Sequence, residues 1–324
     1  TGHVLVEQGG ATAGSDILRT ATSSITAASV ALDISNGANT TGVIGASANK
    51  INTTTANLEL RTQGGNAFLS ETDGLIIGGA TLGGLTGANT GTGNLSLTAG
   101  GAITDSETIT AVGLAIASAG ATLDAANNVT TLAANMTGAG NAFTFTGEAD
   151  GFTVGTVDSI IGITTATTTA SGTESGDITL SVAAGSITLT QNLTTGTSTV
   201  ADAGGVTTAK SGDISVTSVT GITGAGRAIT GNATVDATTA GAGDVDTATS
   251  GNITLNVTGS GDVGLSGSNA LTIGSATVTN NTANDTATTG NIVVTSADRI
   301  NNGISPNALD VSFGSASGGQ TNTA

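Results

Sequence analysis

The sequence predicts an all-β chain, a solenoid whose coils hold about 19–20 residues. Three observations predict it. Apolar residues alternate along short runs, one six-residue phrase returns at a near-fixed interval, and the composition is that of turns and pleated surfaces.

The alternation comes first. Ile178-Thr179-Leu180-Ser181-Val182, Ile187-Thr188-Leu189, Ile253-Thr254-Leu255-Asn256-Val257 and Leu309-Asp310-Val311-Ser312-Phe313 are period-2 runs. This period puts Ile, Leu and Val on one face of a strand and Thr, Ser and Asn on the other. The β-branched residues suit that pleated surface. The nearest helix candidate, Ile109 to Ala117, carries Gly113 in its interior, at a cost of about 1 kcal/mol in a helix. Leu114 and Ile116 read there as strand. Gly, Asn, Asp and Ser separate the runs and tolerate tight turns.

The repeat comes second. Ser175-Gly176-Asp177-Ile178-Thr179-Leu180 returns at Ser211-Gly212-Asp213-Ile214, at Ser250-Gly251-Asn252-Ile253 and at Thr289-Gly290-Asn291-Ile292. The Gly positions 176, 212, 251 and 290 give spacings of 36, 39 and 39. An earlier copy is Thr92-Gly93-Asn94-Leu95. Before residue 170 the regularity is weaker, with Ile25 to Leu32 echoed at Ile51 to Leu60 and at Ile109 to Ile116. A fixed period of this length means a solenoid, propeller or array. Propeller blades carry aromatics and Trp-Asp signatures, which this chain lacks. Each repeat unit is therefore expected to hold two coils of about 19–20 residues. About 16 coils rising ~4.8 Å each would make a rod roughly 75–80 Å long. Residues 1–313 read as one such body and 314–324 as a flexible tail or inter-subunit segment.

Composition comes third. The 324 residues include 51 Gly, 64 Thr, 1 Pro, 5 Phe and no Cys, Trp or Tyr, with a formal net charge of -17. Hydrophobic residues make up 37% and charged residues 9%, the reverse of a disordered chain. Without Cys there is no disulfide or thiolate site. One His, His3, excludes a multi-histidine metal centre. Six basic residues in an acidic chain argue against nucleic acid and anionic membranes. No apolar run reaches the length of a membrane span.

The phrases Gly93-Asn94-Leu95-Ser96-Leu97-Thr98-Ala99-Gly100-Gly101-Ala102-Ile103, Leu132 to Phe143, Gly151 to Val157, and Ile44-Gly45 followed by Ile51-Asn52-Thr53 carry a family likeness. The chain resembles the repetitive β-helical region of filamentous-haemagglutinin-like bacterial exoproteins. The resemblance covers most of the chain in style and rests on compositional motifs. It implies a right-handed parallel β-helix, secretion to the bacterial surface or beyond, and a role as a filament, adhesin or stalk. The family's Asn-Pro-Asn secretion signature is missing, Ser305-Pro306-Asn307 being the nearest fragment. The chain also has no initiating Met or signal peptide, so it reads as a mature or excised piece.

Site candidates are few. Asp244 and Asp246 flank Val245, a spacing that lets both face outward on one strand, and they read first as solvated turn residues with a weak Ca²⁺ site as the alternative. Otherwise no cofactor is expected. Asp177, Asp213, Asn252 and Asn291 share one repeat position. There they fit a turn before a strand, or a ladder of stacked side chains. The basic residues Arg19, Lys50, Arg61, Lys210, Arg227 and Arg299 are scattered, which disfavours a carbohydrate-acting β-helix enzyme. Thr153, Thr164, Thr165, Thr188, Thr190 and Thr199 suggest an ice-binding surface, but their register drifts along the sequence. Gly78 to Gly84 reads as a corner loop rather than a phosphate cradle. Triplets at Asn52, Asn128, Asn192 and Asn252 match glycosylation acceptors by chance composition.

The sequence therefore predicts a non-catalytic structural protein of a bacterial cell-surface or extracellular filament, serving adhesion or matrix building. Its expected partners are other copies stacked head-to-tail, since no helical cap covers either end, or neighbouring segments of a longer stalk, or surface glycans of host or other cells. The alternatives are the carbohydrate-acting enzyme and the ice-binding module.

Overall fold

The computed structural model describes residues 2–9, 15–20, 22–34, 41–202, 204–237, 244–279, 284–300, 309–318 and 321–323. The described residues form strands joined by turns, most of them short and the longest spanning Ala121–Met136, with no helix among them. The strands pair in parallel, as Ile178–Val182 does with Ile214–Ser218, whereas Thr156–Val157 and Ile160–Ile161 form an antiparallel hairpin. The expected all-β class is what the structure has. The fragment Ser305-Pro306-Asn307 lies outside the described residues.

The chain divides into two compact units. The first comprises Thr1–Met136, Thr144–Gly162 and Val182–Ala184, and the second Thr137–Phe143, Ile163–Ser181 and Gly185–Ala324.

In the first unit the parallel offset varies from one pairing to the next. Ile51 pairs with Leu69, and Leu69 pairs with Leu97 at a longer offset. Leu97 pairs with Ile116, and Ile116 with Ala134, at offsets close to that of the first pair. These side chains are buried and stack into one core. Each fully buried aliphatic residue contributes about 1.5–3 kcal/mol. His3–Glu7 is a strand, as the run Val4-Leu5-Val6 suggests, and it pairs with Ser29–Asp33.

The run Ile109–Ser118 is strand, as Leu114 and Ile116 imply. Residues 113–116 are all buried because a second layer covers the outer face. That cover is the hairpin 156–161, whose turn residues Asp158 and Ser159 have φ of 44° and 66°. Its Val157 packs with Ala115 and Ala133, and Ile160 packs against them. Small residues at 113, 115 and 133 are what let it approach: a Cβ on Gly113 would lie 2.9 Å from the Val157 side chain.

In the second unit each of the first three repeats supplies five short strands and the fourth supplies four among the described residues, and each strand joins its own parallel stack. Ile178–Val182, Ile214–Ser218, Ile253–Val257 and Ile292–Thr295 form the first stack, with Ile178, Ile214, Ile253 and Ile292 in register. Ser186–Leu189, Gly221–Gly224 and Asp262–Leu265 form the second. Leu193–Thr194, Ala228–Ile229, Leu271–Ile273 and Val311–Phe313 belong to the third.

The fourth and fifth stacks enclose a satellite core. Ser198–Ala201, Ala233–Asp236, Ala276–Thr279 and Ala316–Ser317 make the fourth. Val206–Lys210, Val245–Thr249, Thr286–Thr288 and Thr321–Thr323 make the fifth. Val200, Val235 and Val278 pack there with Ala209, Ala248 and Ala287.

Two sequence expectations are corrected here. The in-register partner of Ile178 is Ile214, one full repeat away, and that of Ile214 is Ile253, again one full repeat away. Each sequence repeat is thus one structural repeat, not a pair of shorter coils. The short offset seen between Ile51 and Leu69 belongs to the first unit. The segment 314–324, expected as a flexible tail or an inter-subunit segment, departs from the first alternative, since Ala316–Ser317 and Thr321–Thr323 pair in parallel within the chain.

Candidate functional site

The recurring phrase builds one corner of the second unit, and each of its letters has a distinct task. The first residue is buried: Ser175, Ser211 and Ser250 are 0% exposed. The second must be Gly. A Cβ on Gly212 would overlap the Gly176 carbonyl oxygen, one on Gly251 that of Gly212, and one on Gly290 that of Gly251. Successive backbones therefore touch, which leaves no room for a side chain.

At the third residue the side chains of Asp177, Asp213 and Asn252 each bond a backbone N–H of the next repeat, a ladder that combines the two alternatives read for this position. Asp177 Oδ1 accepts the Asp213 N–H at 2.7 Å, and Asp213 Oδ1 accepts the Asn252 N–H at 2.7 Å. Asn252 Oδ1 accepts the Asn291 N–H at 2.9 Å. The ladder satisfies N–H groups that precede each strand, where no strand partner is available.

Sequence reasoning missed the hydroxyls. Thr165 Oγ1 donates to Gly176 O at 2.6 Å and accepts the Gly196 N–H at 3.0 Å. Ser175 Oγ donates to Gly196 O at 2.6 Å and accepts the Gly212 N–H at 2.7 Å. Thr195 Oγ1 donates to Gly212 O and accepts the Gly231 N–H, both at 3.0 Å. Ser211 Oγ donates to Gly231 O at 2.7 Å and accepts the Gly251 N–H at 2.8 Å. The bonds alternate between two glycine corners across the interior. Each of these four hydroxyls serves once as donor and once as acceptor, so burial leaves none of the four unpaired. The available signal was the second dipeptide series, Thr195-Gly196 and Thr230-Gly231, which runs beside the Ser-Gly series.

Charge gathers beside the ladder. Carboxylate oxygens of Glu174, Asp177 and Asp213 lie within 4.8 Å of one another. Lys210 supplies the opposing charge, with Nζ 2.6 Å from Glu174 Oε1 and 4.0 Å from Asp213 Oδ2. Burial, then the neighbouring Asp177 and Asp213, raise the Glu174 carboxyl above its ordinary range against the opposing effect of Lys210. Burial lowers Lys210, and its contacts with Glu174, Asp213 and Asp177 outweigh that, so its ammonium is held above the ordinary value. The lysine is a counter-ion shared by three acids.

Asp244 and Asp246 do not form the outward pair that their spacing allowed. Val245 faces out and Asp246 is 0% exposed, because the pleat turns residues 246, 248 and 250 inward together. Asp244 Oδ1 accepts the Gly205 N–H at 3.0 Å. The scattered Thr candidates do not assemble either, and Thr165 is buried in the hydroxyl network. A register-matched file exists elsewhere: Thr247 pairs with Thr286 and Thr249 with Thr288, with Ala248 and Ala287 between them pointing in.

Elsewhere, charged groups serve the backbone. The loop Gly78 to Gly84 wraps an anion from its own chain, since Glu59 Oε1 accepts the N–H groups of Ala80 and Thr81, both at 3.1 Å. Arg61 holds Asp33 through two bonds of 2.9 and 2.8 Å. Burial raises the Asp105 carboxyl despite bonds from Asn127 Nδ2 and the N–H groups of Ala125 and Asp124. A surface groove of ≈ 560 Å³ is lined by Thr26, Thr54, Thr55, Asp73 and neighbouring Gly and Ala residues.

No family model, curated protein or solved structure matches the chain.

With no relative to supply a role, the residues themselves are the guide. The most elaborate constellation, the Ser-Gly-Asp/Asn corner with its hydroxyl crosslinks, uses every donor and acceptor named above to hold one repeat against the next.

Proposed function

We propose that the chain is a structural β-solenoid, a right-handed parallel β-helix that builds a bacterial cell-surface or extracellular filament for adhesion or scaffolding. The observation that carries this reading is the register in the second unit. Three successive repeats superpose in all five strands and a fourth continues four of the stacks, with Ile178, Ile214, Ile253 and Ile292 in one column. Such stacking makes each repeat the template for the next, the property a rod needs. The Asp and Asn ladder and the buried hydroxyls support it, because they tie neighbouring repeats rather than face a ligand. The sequence resemblance supports the location and the role. Head-to-tail addition of further copies would extend the same ladders.

Electron microscopy of the purified chain at several concentrations tests the reading. Thin rods, lengthening into fibres as concentration rises, are the expected result. Compact particles without an axis would overturn it.

A second reading has one observation in its favour. Thr247 and Thr249 stand over Thr286 and Thr288, which presents hydroxyl and methyl groups at the strand spacing of ~4.8 Å. An ice-binding surface uses such order. Thermal hysteresis of the solution would support this reading, and its absence at millimolar protein would remove it.

The carbohydrate-acting alternative has less in its favour. The ≈ 560 Å³ groove offers one carboxyl, Asp73, where acid–base cleavage of a glycosidic bond uses a pair.

A further inference from the structure

Among the described residues Asp246 is the one buried acid with neither carboxylate oxygen hydrogen-bonded. Its side chain is 0% exposed. It lies two residues before Ala248, whose side chain belongs to the Val and Ala satellite core. The strand register sets it over Thr207 of the preceding repeat. In the following repeat Thr286 is the partner of Thr247, so Asp285 is the counterpart of Asp246 there.

The neighbouring groups bring no compensating charge. Asp285, itself buried, takes the Asp246 N–H with Oδ1 at 3.2 Å, so it meets Asp246 as an acceptor. Thr207 gives its one hydroxyl proton to Asp202 Oδ1 at 3.0 Å, and the same oxygen accepts the Gly204 N–H at 2.7 Å. Asp244 adds a further acid two residues before Asp246. Lys210, at the far end of the strand that carries Thr207, is paired with Glu174 at 2.6 Å. Across the satellite core the facing strands offer Val200, Val235 and Val278, and the Asp236 they carry is exposed. No Lys or Arg occurs between Arg227 and Arg299 in the sequence.

We propose that Asp246 is a proton-operated lock: in the folded chain it is a neutral carboxylic acid, and its proton holds its repeat against the two neighbouring ones. A carboxylate buried without a donor is strongly unfavourable. A proton removes that charge and turns one oxygen into a donor. Acceptors stand on the levels either side, the Thr207 hydroxyl and the Asp285 carboxylate, at the ladder spacing of ~4.8 Å. Burial first, then Asp202, Asp285 and Asp244, raise the Asp246 carboxyl above its ordinary range, against the smaller effect of Thr207. The folded state therefore binds this proton more tightly than the unfolded state does. The stabilisation is fully present below the unfolded pKa of about 4 and is lost as pH rises through the folded value. In acid the repeats cohere. In alkali the like charges of Asp246, Asp285 and Asp202 loosen them. The Glu174, Asp177 and Asp213 group is a different case, because Lys210 already supplies a cation there.

Urea unfolding of the full chain from about pH 4 to about pH 8 tests the lock, with wild type set against Asp246→Asn, a neutral side chain of the same shape. Other carboxyls act alike in both proteins, so the comparison isolates residue 246. The folding constant of wild type relative to the variant should fall as pH rises, at a slope approaching about tenfold per pH unit for one proton, and then level off. In an Asp285→Asn background the fall should end at lower pH, because one of the neighbouring charges that raise the Asp246 pKa is gone. A relative constant that stays flat over the whole range overturns the proposal. One that grows with pH also overturns it, by showing an anion held by a donor. If Asp246→Asn does not fold, hydrogen exchange of the wild-type chain decides the matter. Protection of Val245–Thr249 relative to Ser186–Leu189, corrected for intrinsic rates, should decline over the same range, and a constant ratio overturns the lock.

Discussion

Asp213 Oδ1 accepts the backbone N–H of Asn252 at 2.7 Å, although the two residues belong to different repeats. The same oxygen also takes the Asn252 Nδ2 at 3.1 Å. One side chain thus fixes both the height and the register of the next repeat. Asn252→Ala should cost about 1–2 kcal/mol, since it leaves the Asn291 N–H without its acceptor. Asn252→Asp keeps that acceptor but sets a carboxylate beside Asp213. The repulsion raises the carboxyl pKa of the folded variant, so its stability falls as pH rises from about 4 towards neutral. Urea unfolding of both variants at pH 4 and pH 7 checks the two outcomes.

Glycine at the corner is a matter of space. Gly251→Ala would drive a Cβ into Gly212 O, and the cost should reach about 3 kcal/mol or prevent folding. Gly172 has φ of 72° and open space around its Cα, so Gly172→Ala should cost only about 1–2 kcal/mol, the strain of a left-handed alanine. Denaturation midpoints of the two variants should separate clearly. Equal midpoints would show that the corner relaxes.

Phe145 is fully buried and meets Phe152 edge-on, with ring centroids 5.0 Å apart at 76°. In a chain with five Phe and no other aromatic residue, this pair is the bulkiest packing of its unit. Phe145→Ala should lower stability by about 3–5 kcal/mol. Phe145→Leu should lose less, because more of the volume is retained. Circular dichroism melts of the two variants give the comparison.

Asp105 makes one pH prediction. Burial raises its folded pKa above the ordinary 3.8. The folded state therefore holds the proton more tightly than the unfolded state. Its contribution is fully present below about pH 4 and is lost as pH rises through the folded pKa. The unfolding free energy of wild type relative to Asp105→Asn should fall over that window and level off above it. A relative stability that grows with pH there would mean that the bonds from Asn127, Ala125 and Asp124 outweigh burial.

Strand identity was legible in the sequence because period-2 alternation is local. Ile178, Leu180 and Val182 announce one face without reference to any partner. The Ser-Gly-Asp/Asn phrase announced a corner for a similar reason, since few residues tolerate contact between backbones or bond the following N–H. What lay beyond the sequence was non-local. Ile178 carries nothing that tells it whether its partner lies half a repeat or a whole repeat away. Nor did alternation expose the crosslinks of Ser175 to Gly196 and Thr195 to Gly212, which join corners distant in the chain.

Composition and period by themselves determined that this protein is a stack of strands with glycine corners and an Asp or Asn before the recurring strand. Only the tertiary structure decided the repeat length, the covering of Ala115 and Ala133 by the hairpin 156–161, and the inward turn of Asp246. The physical reason is common to all three. Each depends on which segment packs against which, and that choice is made by the summed burial of many residues rather than by any one of them.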